Sequence, residues 1–238
     1  MTIDMTPSRG IIFFVTAIGT VIGMMMGLGH PALAQSAVKL EGDSARGAEI
    51  AETCATCHGP DGMGYPEGIP RLVGQSSSYL RAQLLSFRHS ARLRADQPGD
   101  EGIAHLKSTA RSFSGMDSFI LGLTDQDIAD AAAHYAALKC KPSDKPQPVR
   151  PAIVSRCEAC HKDIGRVSSR NIPTLASQNA VYLSRQLKSF RAAKTIGEID
   201  LMAEGASRYN RIMFTQARWL TDSQIKDIAR FFESVPCL

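Results

Sequence analysis

The chain contains the pentapeptide Cys-x-x-Cys-His twice, as CATCH at residues 54–58 and as CEACH at residues 157–161. Much of the surrounding sequence also occurs twice. At a spacing of 103 residues YLRAQLLSFR matches YLSRQLKSFR, and at a spacing of 97 residues the first Leu-Thr-Asp triplet matches the second. Agreement that runs in order along most of a chain indicates two copies of one domain. Each copy must therefore build the same kind of site around its own pentapeptide.

The repeat defines the predicted domain organisation. Residues 35–140 form the first domain and residues 152–238 form the second. Residues 141–151 between them read KPSDKPQPVRP, with four prolines. Proline at this density disfavours helix and sheet, so the segment is predicted to be an extended, semi-rigid linker.

Residues 1–34 are typical of a secretory signal peptide. Arg9 precedes an apolar run at residues 11–29, and Ala32 and Ala34 form an A-x-A cleavage pattern. The run approaches the roughly 20 residues of a membrane span, so an uncleaved anchor is the alternative. Glycines near its end and Pro31 favour cleavage. We therefore expect an exported, periplasmic protein, with peripheral membrane association as an alternative.

Both copies are predicted to be all-α. Apolar residues recur at helix spacing in the last segment of each copy. Thr124 and Thr221 stand at the predicted N-caps of these last helices, and Gln224 completes a capping box in the second copy. Alternating patterns typical of β-strands are absent from the sequence. The apolar positions are Ile128, Ala131, Ala132 and Tyr135 in the first copy and Ile225, Ile228, Ala229 and Phe232 in the second.

The Cys-x-x-Cys-His motif is typical of c-type haem attachment. Cysteines three residues apart lie on one face of a helical turn and can form thioethers with the two haem vinyl groups, while the adjacent histidine reaches the iron. A zinc ribbon would space its cysteine pairs about 15–20 residues apart, and a thioredoxin-like pair would need a βαβ setting. A disulfide within each pair would leave both histidines unexplained. The sequence predicts two covalent haem c groups, attached through Cys54, Cys57, Cys157 and Cys160, with His58 and His161 on the irons.

The repeat also nominates the sixth iron ligands, Met116 and Met213, each seven residues ahead of the Leu-Thr-Asp triplet. Histidine–methionine ligation raises reduction potential and suits electron transfer. With both axial positions filled by the protein, no site is left for a substrate, which argues against catalysis at the haem. The unrepeated methionines and histidines are predicted to be core or surface residues; these are Met63, Met202, His89, His105 and His134.

Three further repeated pairs have predicted roles around the haem. A carbonyl near Pro70 or Pro173 is expected to accept the second ring N–H of each histidine and so fix its tautomer. Arg88 and Arg191 are candidates to neutralise haem propionates, with a solvent-facing role as the alternative. Tyr79 and Tyr182 fit either core packing or a polar contact, and these three paired assignments rest on the repeat alone.

Charge differs between the two halves. Residues 35–140 carry 10 basic and 13 acidic side chains, whereas residues 153–238 carry 13 and 8. Such asymmetry can orient an encounter with a charged partner. The basic residues are dispersed and accompany no nucleic-acid-binding motif, so no nucleic acid partner is expected.

Together these motifs resemble the cytochrome c4 family, in which two class I cytochrome c domains stand in tandem. The resemblance covers roughly residues 40–235 and rests on Cys-x-x-Cys-His, the IP-L-Q-YL--QL--F run and a methionine before L-D--I, each present twice in order. It implies a dihaem electron carrier whose domains face each other about a pseudo-two-fold axis, with haem propionates near their interface. Implied partners are redox proteins: a membrane oxidase, a cytochrome bc-type complex or a flavoprotein.

Two other functions stay open at this point. The chain could be the dihaem electron-transfer subunit of a larger enzyme, such as a flavocytochrome c sulfide dehydrogenase. It could also be a dihaem enzyme, such as a thiosulfate dehydrogenase, with an unusual ligand on one iron. The second copy departs from the first at its start, where the helix is expected to be short and to begin at Pro151. The two haem pockets should therefore differ.

Cys140 and Cys237 occupy corresponding positions after the last helix of each copy. The four other cysteines belong to the haem motifs, and disulfides persist in exported proteins. An interdomain disulfide is one expectation, provided that the two Cα atoms lie within about 7 Å. Two free thiols and a bond to another subunit are the alternatives.

Overall fold

The fold was analysed in a computed structural model, which describes residues 40–64, 68–95, 109–141, 145–166, 169, 172–192 and 207–237. The predicted signal peptide at residues 1–34 lies outside these ranges. So does the insertion around residues 96–102 that lengthens the first copy. Within the ranges given, no helix is both long and apolar enough to cross a membrane.

The first half of the chain is mainly helical. Asp43 caps its first helix by accepting the backbone N–H of Ala45 at 2.8 Å, as expected for an N-cap aspartate. The elements are α1 (Ser44–His58), α2 (Ser77–Arg94), β1 (Thr109–Ser112), a 3₁₀ turn (Ser114–Met116), α3 (Asp117–Ile120) and α4 (Asp125–Ala137).

The second half repeats this order with a much shorter start. Its elements are α5 (Val154–Glu158), α6 (Lys162–Gly165), α7 (Ala180–Ala192), β2 (Ser207–Asn210), α8 (Arg211–Ala217) and α9 (Asp222–Ser234). The short first helix is confirmed, but its predicted start at Pro151 is wrong. The carbonyl of Pro151 accepts the N–H of Val154 at 3.0 Å in a turn, and the helix begins only after Ile153.

In the first half α1 packs directly across α4. Gly47 lies at the crossing, where an added Cβ would be 2.0 Å from the carbonyl oxygen of Asp130. The side chain of Asp130 is buried. It accepts the backbone N–H of Asp43 at 2.6 Å and forms an ion pair with Arg46 at 2.5 Å. A side chain larger than glycine would therefore separate the two helices that frame the first pentapeptide.

The predicted core positions of α4 and α9 are largely buried. The side chains of Ile128 and Ile225 are fully inaccessible, and Tyr135 and Phe232 are nearly so. In the second half Ile225 and Phe232 join a cluster that also contains Val154, Tyr182, Leu183, Phe190, Ala217, Leu220 and Val235. Burial of this apolar surface is the main stabilising contribution within each half.

Both last helices begin with a capping box. Thr221 caps α9 with Gln224, as the sequence predicts, and Thr124 caps α4 with Asp127. The reciprocal bonds satisfy N–H groups that the helix itself cannot pair.

A two-stranded antiparallel sheet, which the sequence did not predict, joins the two halves. β1 pairs with β2, and Arg111 lies directly opposite Arg208 in the register. Strands of four residues are too short to show a clear alternating pattern, and each finds its hydrogen-bond partners in the other half. The chain from Lys39 to Leu238 accordingly forms one compact unit.

Candidate haem sites

The first pentapeptide lies in the last turn of α1, which ends at His58. Cys54 and Cys57 are half-buried free thiols and His58 is buried. Gly59 follows with φ of 76°, a backbone conformation that favours glycine, and it turns the chain away directly after the histidine. Burial raises the pKa of the Cys54 thiol. The turn thus presents two thiols and an imidazole from one helix end.

The second pentapeptide begins in α5 and ends just before α6. Cys157 is half-buried, Cys160 is exposed, and His161 is buried. Burial also raises the pKa of the Cys157 thiol. The helix that carries this motif has 5 residues, against 15 in α1. The second site is therefore less enclosed on the cysteine side.

Each histidine is oriented by a proline carbonyl, as the sequence predicts. Nδ1 of His58 donates to the carbonyl of Pro70 at 2.9 Å, and Nδ1 of His161 donates to that of Pro173 at 3.0 Å. A carbonyl oxygen can only accept, so Nδ1 carries the proton and Nε2 keeps its lone pair. That is the tautomer an iron ligand needs.

Burial further disfavours the imidazolium form at both sites. It lowers the pKa of His58 and of His161, while the carbonyl bond opposes this shift in each. The positive charge of Arg111 adds to the lowering at His58, and that of Arg208 does so at His161. The thiol pair and the neutral, oriented imidazole fit the requirements of covalent haem c.

The two predicted methionine ligands lie at equivalent positions after the strands, Met116 at the end of the 3₁₀ turn and Met213 in α8. Met116 ends the 3₁₀ turn and packs against the cluster around Phe87 and Ile128, and Met213 packs against the cluster of the second half. The side chain of Asn210 accepts the N–H of Met213 at 2.9 Å and so starts α8. Both thioethers border the core of their own half, and their assignment as iron ligands stays a prediction.

Arg88 and Arg191 contact the start of the last helix of their own half, and their predicted role at the haem propionates stays a prediction. Arg88 donates to the carbonyl of Leu123 at 2.9 Å and forms an ion pair with Asp125. Arg191 makes the equivalent bonds, to the Leu220 carbonyl at 2.7 Å and to Asp222 at 2.6 Å. These arginines tie α2 to the start of α4 and α7 to the start of α9.

Two glutamines join the halves at the segments that orient the histidines. The Gln75 amide donates to the Thr174 carbonyl at 2.7 Å and accepts the Thr174 N–H at 2.9 Å. Gln178 makes the same two bonds, both 2.8 Å, with the backbone of Arg71. Arg71 and Thr174 directly follow the two prolines that bind the histidines. Each histidine is thus supported by a glutamine from the opposite half.

The interface contains two arginines that the sequence analysis did not single out. Arg111 donates to the hydroxyl of Tyr182 at 2.6 Å, and Arg208 donates to that of Tyr79 at 2.9 Å. Both tyrosines are buried, and each hydroxyl makes the polar contact that was one of the two predicted roles. The sequence did contain a signal for these two arginines, because Arg111 and Arg208 recur at the spacing of 97 residues that also relates Met116 to Met213.

Cys140 and Cys237 form a disulfide in the structure, with their Cα atoms 6.2 Å apart. Of the alternatives, the interdomain bond is the one found. It links the end of the first half to the end of the second across 97 residues. The other four cysteines are free thiols, as haem attachment requires.

The family model for cytochrome c matches the chain twice, at residues 44–139 and 152–236. The chain belongs to the cytochrome c family. Its relatives place it among the dihaem cytochromes c4. The cytochrome c4 of Azotobacter vinelandii is 28% identical over 227 residues, which cover 90% of this chain and 97% of that protein.

Two further comparisons concern a related electron acceptor and the fold. A protein of Stutzerimonas stutzeri named thiosulfate dehydrogenase electron acceptor is 31% identical, covering 78% of this chain and 80% of its own length. The crystal structure of reduced cytochrome c4 from Pseudomonas stutzeri shares the fold with a TM-score of 0.60 at 24% identity, covering 82% and 99% of the two chains.

This cytochrome therefore carries two covalently bound haem c groups on an all-α fold of two tandem domains, and it acts in electron transfer.

Proposed function

We propose that this cytochrome is a periplasmic dihaem shuttle that passes single electrons from a soluble dehydrogenase to a membrane-bound acceptor such as a terminal oxidase. The observation that carries the proposal is the pair of neutral, carbonyl-bonded imidazoles, one in each half, within a single compact unit. A fixed pair of equivalent sites suits a carrier that takes up one electron at a time.

In this proposal the chain binds each haem through three residues of one motif. Cys54 and Cys57 form the thioethers of the first site and His58 Nε2 binds its iron, with Cys157, Cys160 and His161 in the same roles at the second. Bound haem c supplies a one-electron iron couple. Met116 and Met213 would supply a second protein ligand to each iron, which would favour electron transfer over substrate chemistry.

The proposed location rests on two independent features. Residues 1–34 have the pattern of an export signal. The Cys140–Cys237 disulfide requires an oxidising compartment in which to persist. Both features favour the periplasm. The proposed domain limits, at residues 35–140 and 152–238 with the proline-rich linker between, would place one haem in each half.

A thiosulfate dehydrogenase is the donor we propose first, because the relative from Stutzerimonas stutzeri is named as the electron acceptor of such an enzyme. The net positive charge of residues 153–238 favours an acidic docking surface on one of the two partners. The alternative, a tightly held subunit of a larger enzyme, would use the same haem sites.

The experiment uses the mature, purified holoprotein. We expect two haems per chain that remain with the polypeptide in acidified organic solvent, and full reduction by a thiosulfate dehydrogenase with thiosulfate. Met116→Ala and Met213→Ala should each abolish the far-red methionine–iron band of one haem and leave that of the other. Release of the pigment would overturn the cofactor assignment. Persistent co-elution with a stoichiometric enzyme would support the subunit alternative instead.

A further inference from the structure

The helix α8, which carries Met213, exposes two large apolar side chains. Met213 packs against the core of the second half, and Ala217, four residues later, is fully buried. Ile212 at the start of the helix is 65% exposed, and Trp219 in the turn that follows it is 70% exposed. Trp219 is the only tryptophan of the chain. One side of α8 therefore serves the core, while the other presents apolar surface to solvent.

Two exposed arginines accompany these apolar side chains. Among the residues that the structure describes, no carboxylate forms an ion pair with Arg211 or Arg218. The guanidinium carbon of Arg218 lies 4.6 Å from the ring centre of Trp219 and 6.0 Å from that of Phe214. A guanidinium held against aromatic rings keeps its charge and its N–H donors. We call this surface the α8 patch; it consists of Arg211, Ile212, Phe214, Arg218 and Trp219.

The equivalent segment of the first half has a different character. At the spacing of 97 residues, Gly122 stands where the second half has Trp219. A Cβ added at Gly122 would meet no atom beyond its chain neighbours within 4 Å, so the fold leaves space for a side chain there and requires none. Residues 114–122 contain one acidic and no basic side chain, whereas residues 211–219 contain two basic and no acidic ones. The α8 patch is therefore a property of the second half and not a requirement of the repeated domain.

The composition of the α8 patch fits a protein partner better than a lipid surface. Tryptophan and arginine are enriched among the residues that carry most of the binding energy of protein interfaces. Sites for anionic lipids are typically clusters of about 4–8 Lys or Arg side chains, whereas this patch contains two. Uncompensated positive charge beside an apolar centre complements a partner whose apolar contact has an acidic rim.

We propose that the α8 patch docks an acidic surface of the soluble electron donor, and that electrons enter this cytochrome at the second haem. Each encounter passes one electron from the reduced donor to the ferric iron of that haem. A donor met by diffusion gains from opposite charge, because steering raises the rate of encounter. Met213 lies in the same helix as the patch, so a docked donor would be next to the second haem pocket. The inference rests on the proposed function, in which a dehydrogenase reduces the protein.

The test is stopped-flow reduction of the mature holoprotein by a thiosulfate dehydrogenase with thiosulfate, from low to high ionic strength. Arg218→Leu and Trp219→Gly introduce the residues that the first half has at these positions. In Arg218→Leu we expect the second-order rate constant at low salt to fall roughly tenfold and its salt dependence to weaken, because steering is lost. In Trp219→Gly we expect a fall of about tenfold at every salt concentration, since salt does not screen an apolar contact.

Arg230→Gln is the matched control, since it removes one exposed positive charge from α9 in the same half. Its rate constants should stay close to those of the wild type. A fall in Arg230→Gln equal to that in Arg218→Leu would overturn the proposal, because net charge alone would then explain the effect. Wild-type rates in both patch variants would also overturn it. So would binding of the wild type to phosphatidylglycerol vesicles that both patch variants lose while their reduction rates are unchanged, because the patch would then bind a membrane surface.

A second measurement covers the case in which the dehydrogenase does not reduce the wild type. Voltammetry on gold coated with mixed carboxylate- and methyl-terminated thiols presents the acidic and apolar chemistry of the proposed partner. The second haem of the wild type should exchange electrons faster than the first, and Trp219→Gly should slow the second haem alone. A Met116→Ala background, which shifts the potential of the first haem, tells the two apart. Equal rates at both haems of the wild type would contradict the proposed patch. Because this measurement needs no partner protein, its failure is distinct from a failure of the proposed electron shuttle.

Discussion

Replacing Gln75 by methionine should alter the haem of the opposite domain. Methionine keeps the length and most of the volume of glutamine but can make neither of the two bonds to Thr174. Thr174 directly follows Pro173, whose carbonyl holds His161. The substitution is in the first half of the chain, whereas the histidine it affects is in the second.

The magnitude follows from the two backbone groups that lose their partner. Gln75 and Thr174 are 4% and 3% exposed, so water replaces the amide poorly. A buried donor or acceptor without a partner costs about 1–3 kcal/mol. Gln75→Met should therefore lower the free energy of unfolding by about 2–6 kcal/mol, the sum for two such groups. A looser Pro173 carbonyl makes the His161 imidazole a weaker base, which favours reduced iron and raises the potential of the second haem.

Guanidinium unfolding measures the stability change, and spectroelectrochemistry resolves the two potentials. The same titration in a Met116→Ala background, which marks the first haem, assigns the shift to one site. Gln178→Met is the reciprocal control and should shift the first haem instead. If Gln75→Met lowers stability by the expected amount while only the first haem shifts, or neither does, then the glutamine joins the domains without orienting the histidine.

Three other variants test the remaining features. Changing Cys140 and Cys237 together to serine should destabilise the oxidised protein by up to about 4.7 kcal/mol, the chain-entropy value for a loop of roughly this length; alkylation of both thiols in the unreduced wild type would contradict the bond. Thr124→Ala and Thr221→Ala should each cost about 1 kcal/mol at neutral pH. Hydrogen bonding from Thr124 holds the pKa of Asp127 below its usual range. The stabilisation that the α4 capping box provides is therefore fully present above the ordinary pKa of Asp127, and it is lost as the pH falls through the depressed pKa. The cost of Thr124→Ala should shrink in acid, whereas that of Thr221→Ala, whose partner is a glutamine, should not; equal pH profiles would refute this account.

Features determined by local sequence could be predicted well. The N-caps at Thr124 and Thr221 follow from a side chain and a backbone N–H three residues apart. The bonds from His58 and His161 to proline carbonyls were also expected, because the repeat carried each proline at the same distance from its histidine.

Features that depend on the other half could not be predicted in the same way. The partners of Arg111 and of Gln75 in the other half, Tyr182 and Thr174, lie 71 and 99 residues away, and nothing in either local sequence indicates which residues face them. Recurrence showed that Arg88 and Arg191 have a role but not which one, since an ion pair to a helix start and a propionate contact require the same side chain. The folded arrangement shows the ion pairs, and the propionate contact stays a prediction.

The exchanged glutamine bonds have a consequence for how the two halves can diverge. In a homodimer of identical subunits, any change in such a self-complementary contact would appear on both sides at once. Within one chain the two sides are encoded separately, and they already differ: Gln178 meets an arginine backbone, whereas Gln75 meets a threonine. Gene duplication with fusion therefore frees each redox centre to acquire its own environment while the shared contact surface is retained.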